Sequence, residues 1–171
     1  MVMSIARLLT MVFVTFMVAP AVAHAQKLVF VVRHAERADG GAAAPMMGTP
    51  ADPALSAIGE ARAAKLADML ANAGIGAIFS TQYKRTQDTV KPLAARLGVA
   101  VTTVPAAQTA QLVAALTGKH AGDIVLVVGH SNTVPDVIKA LGGPDVKIPE
   151  SDYGDLFVLV PSTGALSRIK F

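Results

Sequence analysis

The chain has 171 residues, of which 53% are hydrophobic and 16% are charged, a composition that excludes an intrinsically disordered protein. It contains no cysteine, which excludes a disulfide scaffold, thiolate zinc sites and a cysteine nucleophile. The 15 Lys and Arg residues exceed the 12 Asp and Glu residues only slightly and form no run, so we expect no nucleic-acid partner.

The first 25 residues have the pattern of a secretory signal peptide. Arg7 is the single charged residue in this stretch, and an apolar run of 12 residues follows it at 8–19. Because a membrane-spanning helix needs about 20 apolar residues, the short run favours a cleaved signal over an anchor. We expect cleavage after Ala25, a periplasmic or secreted protein without a stable membrane span, and one domain at 26–171.

The pattern of the remaining chain predicts strands that alternate with helices. Apolar, β-branched runs at 28–32 and 124–128 are typical of strands buried on both faces. The other predicted elements are, in chain order, a surface loop at 38–54, a helix capped by Ser56, a strand at 77–80, a helix at 85–97 kinked by Pro92, a strand at 99–104, helices at 108–116 and 135–141, and a closing hairpin at 156–160 and 166–170. This alternation predicts an α/β domain with a mainly parallel sheet.

Histidine follows each of the two buried runs directly. Arg33 and His34 come after the first run, and His130 comes after the second. Arg85 stands at the start of the helix that follows the strand at 77–80. Because the carboxyl ends of parallel strands meet at one edge of a sheet, we expect these four side chains to converge there.

Two arginines and two histidines at one edge are suited to phosphate chemistry. The planar guanidinium donates two parallel hydrogen bonds to a phosphate and keeps its charge. One imidazole can attack phosphorus, and a second can donate a hydrogen bond to the transferring oxygens. On spacing alone, structural roles for these residues stay open beside this interpretation.

Four segments resemble motifs of the histidine phosphatase superfamily, which is also called the phosphoglycerate mutase-like family. Residues 31–36 resemble its Arg-His-Gly signature. Residues 55–59, 80–86 and 128–131 resemble its Leu-Thr-x-x-Gly, Ser-x-x-x-Arg-Thr and second Gly-His motifs, in the same order and with matching spacing. The resemblance implies a three-layer α/β/α fold of the phosphoglycerate mutase type.

The resemblance also implies the roles of individual residues. His34 would be the nucleophile that becomes phosphohistidine, and Arg33, Arg85 and His130 would complete the phosphate pocket. The implied activity is that of a phosphomonoesterase that acts on a small phosphorylated substrate and needs neither a metal ion nor a cofactor. We expect the loop at 38–54 to determine the substrate.

The sequence departs from the family pattern at two points. Ala35 replaces the usual Gly, which we expect the turn to tolerate. Many members also have a Glu general acid between the second Arg and the second His, and none is found here between Arg85 and His130. Glu36 is the first substitute candidate and Asp52 the second, although an ion pair for Glu36 and a turn-forming role for Asp52 remain open.

The missing Glu supports an alternative from another functional class, a non-catalytic phosphate- or anion-binding module of the same fold. A metal site built from His34 and His130 is disfavoured, because Arg33 and Arg85 would repel a cation. A mutase is disfavoured as well, because the expected mature chain of 146 residues leaves little room for the insertions that shape a phosphosugar cavity.

Overall fold

A computed structural model describes residues 28–40 and 52–171. The predicted signal peptide and most of the predicted loop at 38–54 lie outside these residues. Within the described part of the chain, no helix has the length and apolar character needed to cross a membrane.

The described chain contains strands and helices in the predicted alternation. They are β1 (Leu28–Arg33), α1 (Ala57–Leu70), β2 (Ala77–Ser80), α2 (Lys84–Leu97), β3 (Val101–Thr103), α3 (Thr109–Thr117), β4 (Ile124–Gly129), α4 (Thr133–Ala140), β5 (Asp155–Val160) and β6 (Ala165–Lys170). The α/β class predicted from the sequence is therefore confirmed.

All six strands belong to one mixed sheet, with the order β3-β2-β4-β1-β5-β6. The first four strands in this order are parallel to one another. The last two form the predicted hairpin, which adds to the sheet through antiparallel pairing of β5 with β1. The sheet is thus mainly parallel, and β1 and β4 lie at its centre.

Helices cover both faces of the sheet. Alternate side chains of β1 point to opposite faces, and both sets are buried against helices. Val29 and Val31 are buried on one face against α3 and α4. Phe30 and Val32 are buried on the other face against α1 and α2. Burial of one such side chain contributes roughly 1.5–3 kcal/mol, so the two clusters hold the sheet between the helix layers. This arrangement confirms the predicted three-layer α/β/α architecture.

Helix α1 begins as predicted, with Ser56 as its N-cap accepting a hydrogen bond from the Gly59 backbone N–H. A Cβ at Gly59 would lie 2.3 Å from the backbone oxygen of Glu36. Glycine at this position therefore lets α1 pack directly against the backbone that follows β1, which is the segment that carries His34.

Strand β3 is shorter than the predicted strand at 99–104. Gly98 ends α2 in the left-handed conformation, with φ of 65°. The next residue, Val99, donates its backbone N–H to the oxygen of Ala94 in α2, which holds it at the helix end. The ladder with β2 consequently begins only at Val101. Pro92 lies inside α2, which continues through it as one helix.

Candidate active site

The central strands bring the two histidines to the same edge of the sheet. Arg33 at the end of β1 pairs with Gly129 at the end of β4. The His34 backbone N–H donates to the Gly129 oxygen at 2.9 Å and extends this ladder by one residue. The imidazole rings of His34 and His130 consequently lie with their centroids 5.3 Å apart.

Both histidines border an open cavity of about 450 Å³ at the carboxyl ends of the parallel strands. Its lining also includes all of the arginines predicted for the site, together with residues from the loops that follow β2, β4 and α4. The lining residues are Arg33, His34, Arg37, Gln82, Tyr83, Arg85, Ala106, Ala107, His130, Ser131, Asn132, Thr133 and Glu150. Three guanidinium groups face one carboxylate, so the cavity is suited to an anion.

His34 is held as a neutral ring with a defined proton position. Its Nδ1 lies 2.8 Å from the backbone oxygen of Ala35. A carbonyl oxygen only accepts, so Nδ1 carries the proton and Nε2 carries the lone pair. Burial, together with the charges of Arg85, Arg33 and Arg37, lowers the pKa of His34 to about 4, against the effect of the Ala35 hydrogen bond. The imidazole is therefore nucleophilic at neutral pH.

His130 is held from its backbone and from its ring. Its backbone N–H donates to Thr133 Oγ1 at 2.9 Å, and its Nε2 lies 3.0 Å from Thr81 Oγ1. When Thr81 donates to Nε2, His130 keeps Nδ1–H for a phosphate oxygen. Burial and the neighbouring His34 lower the pKa of His130 to about 3, assisted by nearby arginines.

The glycine that precedes His130 makes the backbone contact feasible. A Cβ at Gly129 would lie 2.6 Å from Thr133 Oγ1, too close for the hydroxyl to keep its place. The Gly-His pair in the sequence thus reflects the space that the Thr133 hydroxyl needs beneath the His130 backbone.

Arg33 is fixed by the loop at 149–153, which precedes β5. Its Nη1 donates to three backbone oxygens, those of Pro149, Glu150 and Asp152, each at 2.9 Å. The guanidinium carbon lies 4.2 Å from the centroid of the Tyr153 ring. Because these contacts hold the fork before any ligand arrives, little side-chain entropy remains to be lost on binding.

Arg85 lies against the ring of Tyr83, with its guanidinium carbon 4.3 Å from the ring centroid. Its side chain is 13% exposed, and its Nη1 lies 3.7 Å from Asp52 Oδ1. Among the described residues, the Nε atoms of both Arg85 and Arg33 are buried donors without a hydrogen-bond acceptor. Buried donors ordinarily have partners, so these two nitrogens are exceptions to the usual pairing.

Arg37 is a cavity residue that the sequence analysis did not assign to the site. It borders the same cavity, and its Nη2 donates to Asp39 Oδ2 at 2.5 Å. Its charge also contributes to lowering the pKa of Arg85, after the larger effect of burial. An antiparallel bridge between Arg37 and Leu55 holds this position, and no local motif in the sequence indicates that pairing.

The structure places Glu36 outside the cavity, which does not fit a proton donor. Its carboxylate accepts from Arg62 Nε at 2.9 Å to both oxygens and from Nη2 at 2.5 Å. Burial is the largest single effect and acts to raise the pKa of Glu36, but the hydrogen bonds from Arg62 and from the backbone, together with the charges of Arg62 and Arg33, outweigh it and the pKa is lowered. Glu36 therefore forms the ion pair that the sequence left open, and its partner is Arg62 in α1.

Asp52 is also occupied elsewhere and does not border the cavity. Both of its carboxylate oxygens accept from the backbone N–H of Lys84, at 2.9 and 3.1 Å. Lys84 is the first residue of α2, so Asp52 caps that helix and favours its start electrostatically. Its contribution to the site is to hold the helix end that carries Arg85.

The turn after the first histidine accepts Ala35 without strain. No non-glycine residue in the described ranges has a positive φ, so this position does not require glycine. The Ala35 N–H donates to Thr89 Oγ1 at 3.0 Å, and its side chain is buried against Leu55 and Ala63.

The two lowered histidine pKa values predict a pH-dependent stability. Below pH 6.5 the unfolded chain protonates both rings, whereas the folded protein does so only near pH 4 and pH 3. The unfolded state then binds more protons, so stability falls as the pH decreases from 6.5. At pH 5 we expect a loss of about 2 kcal/mol for each ring, measured by urea unfolding at pH 7 and pH 5.

The matched control for this measurement is a double variant, His34→Asn with His130→Asn. It should lose most of the difference between the two pH values. An identical difference in the variant and the parent would contradict the assignment to these rings.

Residues 29–108 match the family model described as histidine phosphatase superfamily (branch 1). These 80 residues, which are fewer than half of the chain, are similar to that superfamily. The matched segment includes Arg33, His34 and Arg85, while His130 lies beyond it. No curated protein matches the sequence.

Solved structures of phosphatases share the fold of this protein. A proposed phosphohistidine phosphatase SixA from Agrobacterium tumefaciens has 22% identity and a TM-score of 0.61, over 78% of this chain and 91% of that one. A proposed α-ribazole-5′-phosphate phosphatase from Escherichia coli has 14% identity and a TM-score of 0.64, over 85% of this chain and 95% of that one. The protein histidine phosphatase SixA complexed with tungstate has 19% identity and a TM-score of 0.60, over 83% of this chain and 94% of that one.

The site therefore contains a neutral imidazole with a free Nε2 lone pair, a second imidazole and arginines that are fixed in place. In residues 28–40 and 52–171, no group of three or more His, Asp or Glu side chains is placed to hold a metal ion. The chemistry that this arrangement supports with its own residues is capture of a phosphate group and attack on phosphorus.

Proposed function

We propose that the protein is a phosphomonoesterase that works through a phosphohistidine on His34 and needs no metal ion. The observation that carries this proposal is the hydrogen bond from His34 Nδ1 to the Ala35 oxygen, which leaves the lone pair on Nε2. In the proposed reaction, Nε2 attacks phosphorus and the ester oxygen leaves. Water then attacks the phosphohistidine and releases inorganic phosphate.

The positive groups of the cavity support the proposal, because charge develops on the phosphoryl oxygens during transfer. Arg33 and Arg85 each have a guanidinium that is fixed by packing against an aromatic ring. Such donors do not need to reorganise as the charge develops, which is the main source of electrostatic catalysis. His130 would add one further hydrogen bond to a phosphoryl oxygen.

The test is hydrolysis of nitrophenyl phosphate by the purified protein after treatment with EDTA. We expect turnover to persist, because guanidinium and imidazole groups replace a metal ion, and we expect tungstate to inhibit. Loss of activity on chelation that one added metal ion restores would contradict the metal-free mechanism.

The alternative function is a phosphate-binding module without catalytic activity. It is favoured by the positions of Glu36 and Asp52, because both candidate proton donors are engaged away from the cavity. Acid-quench trapping of phosphate on His34 during turnover separates the two. A phosphoenzyme supports the enzyme, while tungstate binding without a phosphoenzyme or turnover supports the module.

The proposed substrate is a small phosphomonoester, since the cavity of about 450 Å³ admits a phosphate with a compact leaving group. We propose further that the protein is exported and acts in the periplasm or outside the cell. The basic start and the apolar run at 8–19 support export.

A further inference from the structure

The cavity has one carboxylate in its lining, that of Glu150. The sequence contains 12 acidic residues, and all of them lie in the described ranges. None of the other eleven borders this cavity; Glu36, for example, is bound by Arg62, and Asp155 by Arg168. Glu150 is therefore the acidic side chain that can meet a substrate bound between the two histidines.

Contacts with cavity residues place the Glu150 carboxylate beside the phosphate-binding groups. One oxygen accepts from Arg33 Nη2 at 2.8 Å, and the other accepts from Ser131 Oγ, one residue after His130. The side chain is 81% exposed, while that of Arg33 is 4% exposed. Glu150 thus lies on the solvent side of the cavity, in contact with its arginine.

The backbone of the same loop fixes this position. The oxygens of Pro149, Glu150 and Asp152 all accept from Arg33 Nη1. The loop at 149–153 and Arg33 therefore form one unit, and the carboxylate stays close to any phosphate that Arg33 binds. Supporting hydrogen bonds of this kind, made by the backbone around a catalytic group, keep that group within reach of the reacting atoms.

We propose that Glu150 is the proton donor to the leaving group, a role that rests on the proposed phosphatase activity. In the first step, the lone pair of His34 Nε2 forms the N–P bond while the P–O ester bond breaks. The oxygen that leaves takes the proton of the Glu150 carboxyl group, and an alcohol departs. In the second step, water attacks phosphorus and gives a proton to the Glu150 carboxylate, and the N–P electron pair returns to His34.

Water returns the proton of Glu150 in the second step, so the two steps together leave its protonation unchanged. In the structure the Glu150 carboxylate is the counter-charge of Arg33. A phosphate dianion that binds Arg33 takes over this role and frees the Glu150 side chain to face the leaving group.

The test compares two leaving groups in the variant Glu150→Gln. Glycerol phosphate leaves as an alkoxide and needs a proton, whereas nitrophenolate is stable without one. We expect kcat/KM for glycerol phosphate to fall at least about tenfold and kcat/KM for nitrophenyl phosphate to fall much less. Glu150→Asp, which keeps a carboxyl group, should restore part of the glycerol phosphate activity. Glu36→Gln is the matched comparison and should affect both substrates equally.

Equal losses on both substrates in Glu150→Gln would overturn the inference, since they would assign Glu150 to holding Arg33. Increased activity on both would also overturn it, since the carboxylate would then only compete with phosphate. Either result would leave the proposed function intact, provided that the parent protein turns over nitrophenyl phosphate. A parent that hydrolyses neither ester and forms no phosphoenzyme would instead remove the proposed function, and this inference with it.

Discussion

Replacing His34 with alanine should lower kcat/KM for nitrophenyl phosphate by at least about a thousandfold, the scale expected when a covalent nucleophile is lost. The Nε2 lone pair of His34 is the attacking group in the proposed mechanism, and no neighbouring side chain can form the same intermediate. His130 lies close, but its Nε2 is engaged with Thr81 at 3.0 Å. What remains in the variant is the binding of phosphate by the arginines, which alone gives a small residual rate.

His120→Ala is the matched control for this substitution. His120 pairs with Asp123 at 2.9 Å and does not border the cavity, so its replacement removes an imidazole away from the site. The measurement is steady-state kinetics together with acid-quench detection of phosphoenzyme. His34→Ala that retained most of its activity, or that still formed a phosphoenzyme, would show that another group is the nucleophile.

Replacing Arg85 with lysine should lower kcat/KM by about 10- to 150-fold, which corresponds to one charge-assisted hydrogen bond of roughly 1.5–3 kcal/mol. Lysine keeps the positive charge but loses the planar fork that binds two phosphate oxygens at once. It also lacks the flat group that packs on Tyr83 at 4.3 Å, so the ammonium would be less well positioned.

Arg96→Lys in the same helix controls for the change in side chain. Arg96 forms an ion pair with Asp68 at 2.7 Å and is 47% exposed, so little should change. Tungstate inhibition gives the second readout, because Arg85→Lys should weaken oxyanion binding as well as turnover. Activity and inhibition within about twofold of the parent would contradict a phosphate-binding role for Arg85.

The convergence of His34, His130 and Arg85 could be predicted because it depends on local signals. Buried apolar runs identify the central strands, and the residues that follow parallel strands meet at one edge whatever the order of the strands. The same reasoning gave the start of α1, since Ser56 caps its helix through contacts within four residues.

The surroundings of Arg33 could not be predicted because they depend on distant pairings. Glu150 is 117 residues from Arg33 and reaches it only because β5 adds antiparallel to β1. The sequence predicts a closing hairpin but does not show which strand it joins. Arg62 likewise lies 26 residues from Glu36, and the close approach of α1 at Gly59 brings them together.

The peptide oxygen of residue 35 has a consequence for how this site would respond to mutation. It selects the nitrogen of His34 that attacks, and every amino acid at position 35 supplies the same oxygen. A substitution scan would therefore miss this control altogether and would report only packing against Leu55 and Ala63. Exchange of the side chain at this position, such as alanine for glycine, can thus be neutral for the chemistry, whereas replacing the peptide bond itself by an ester would weaken the acceptor and alter it.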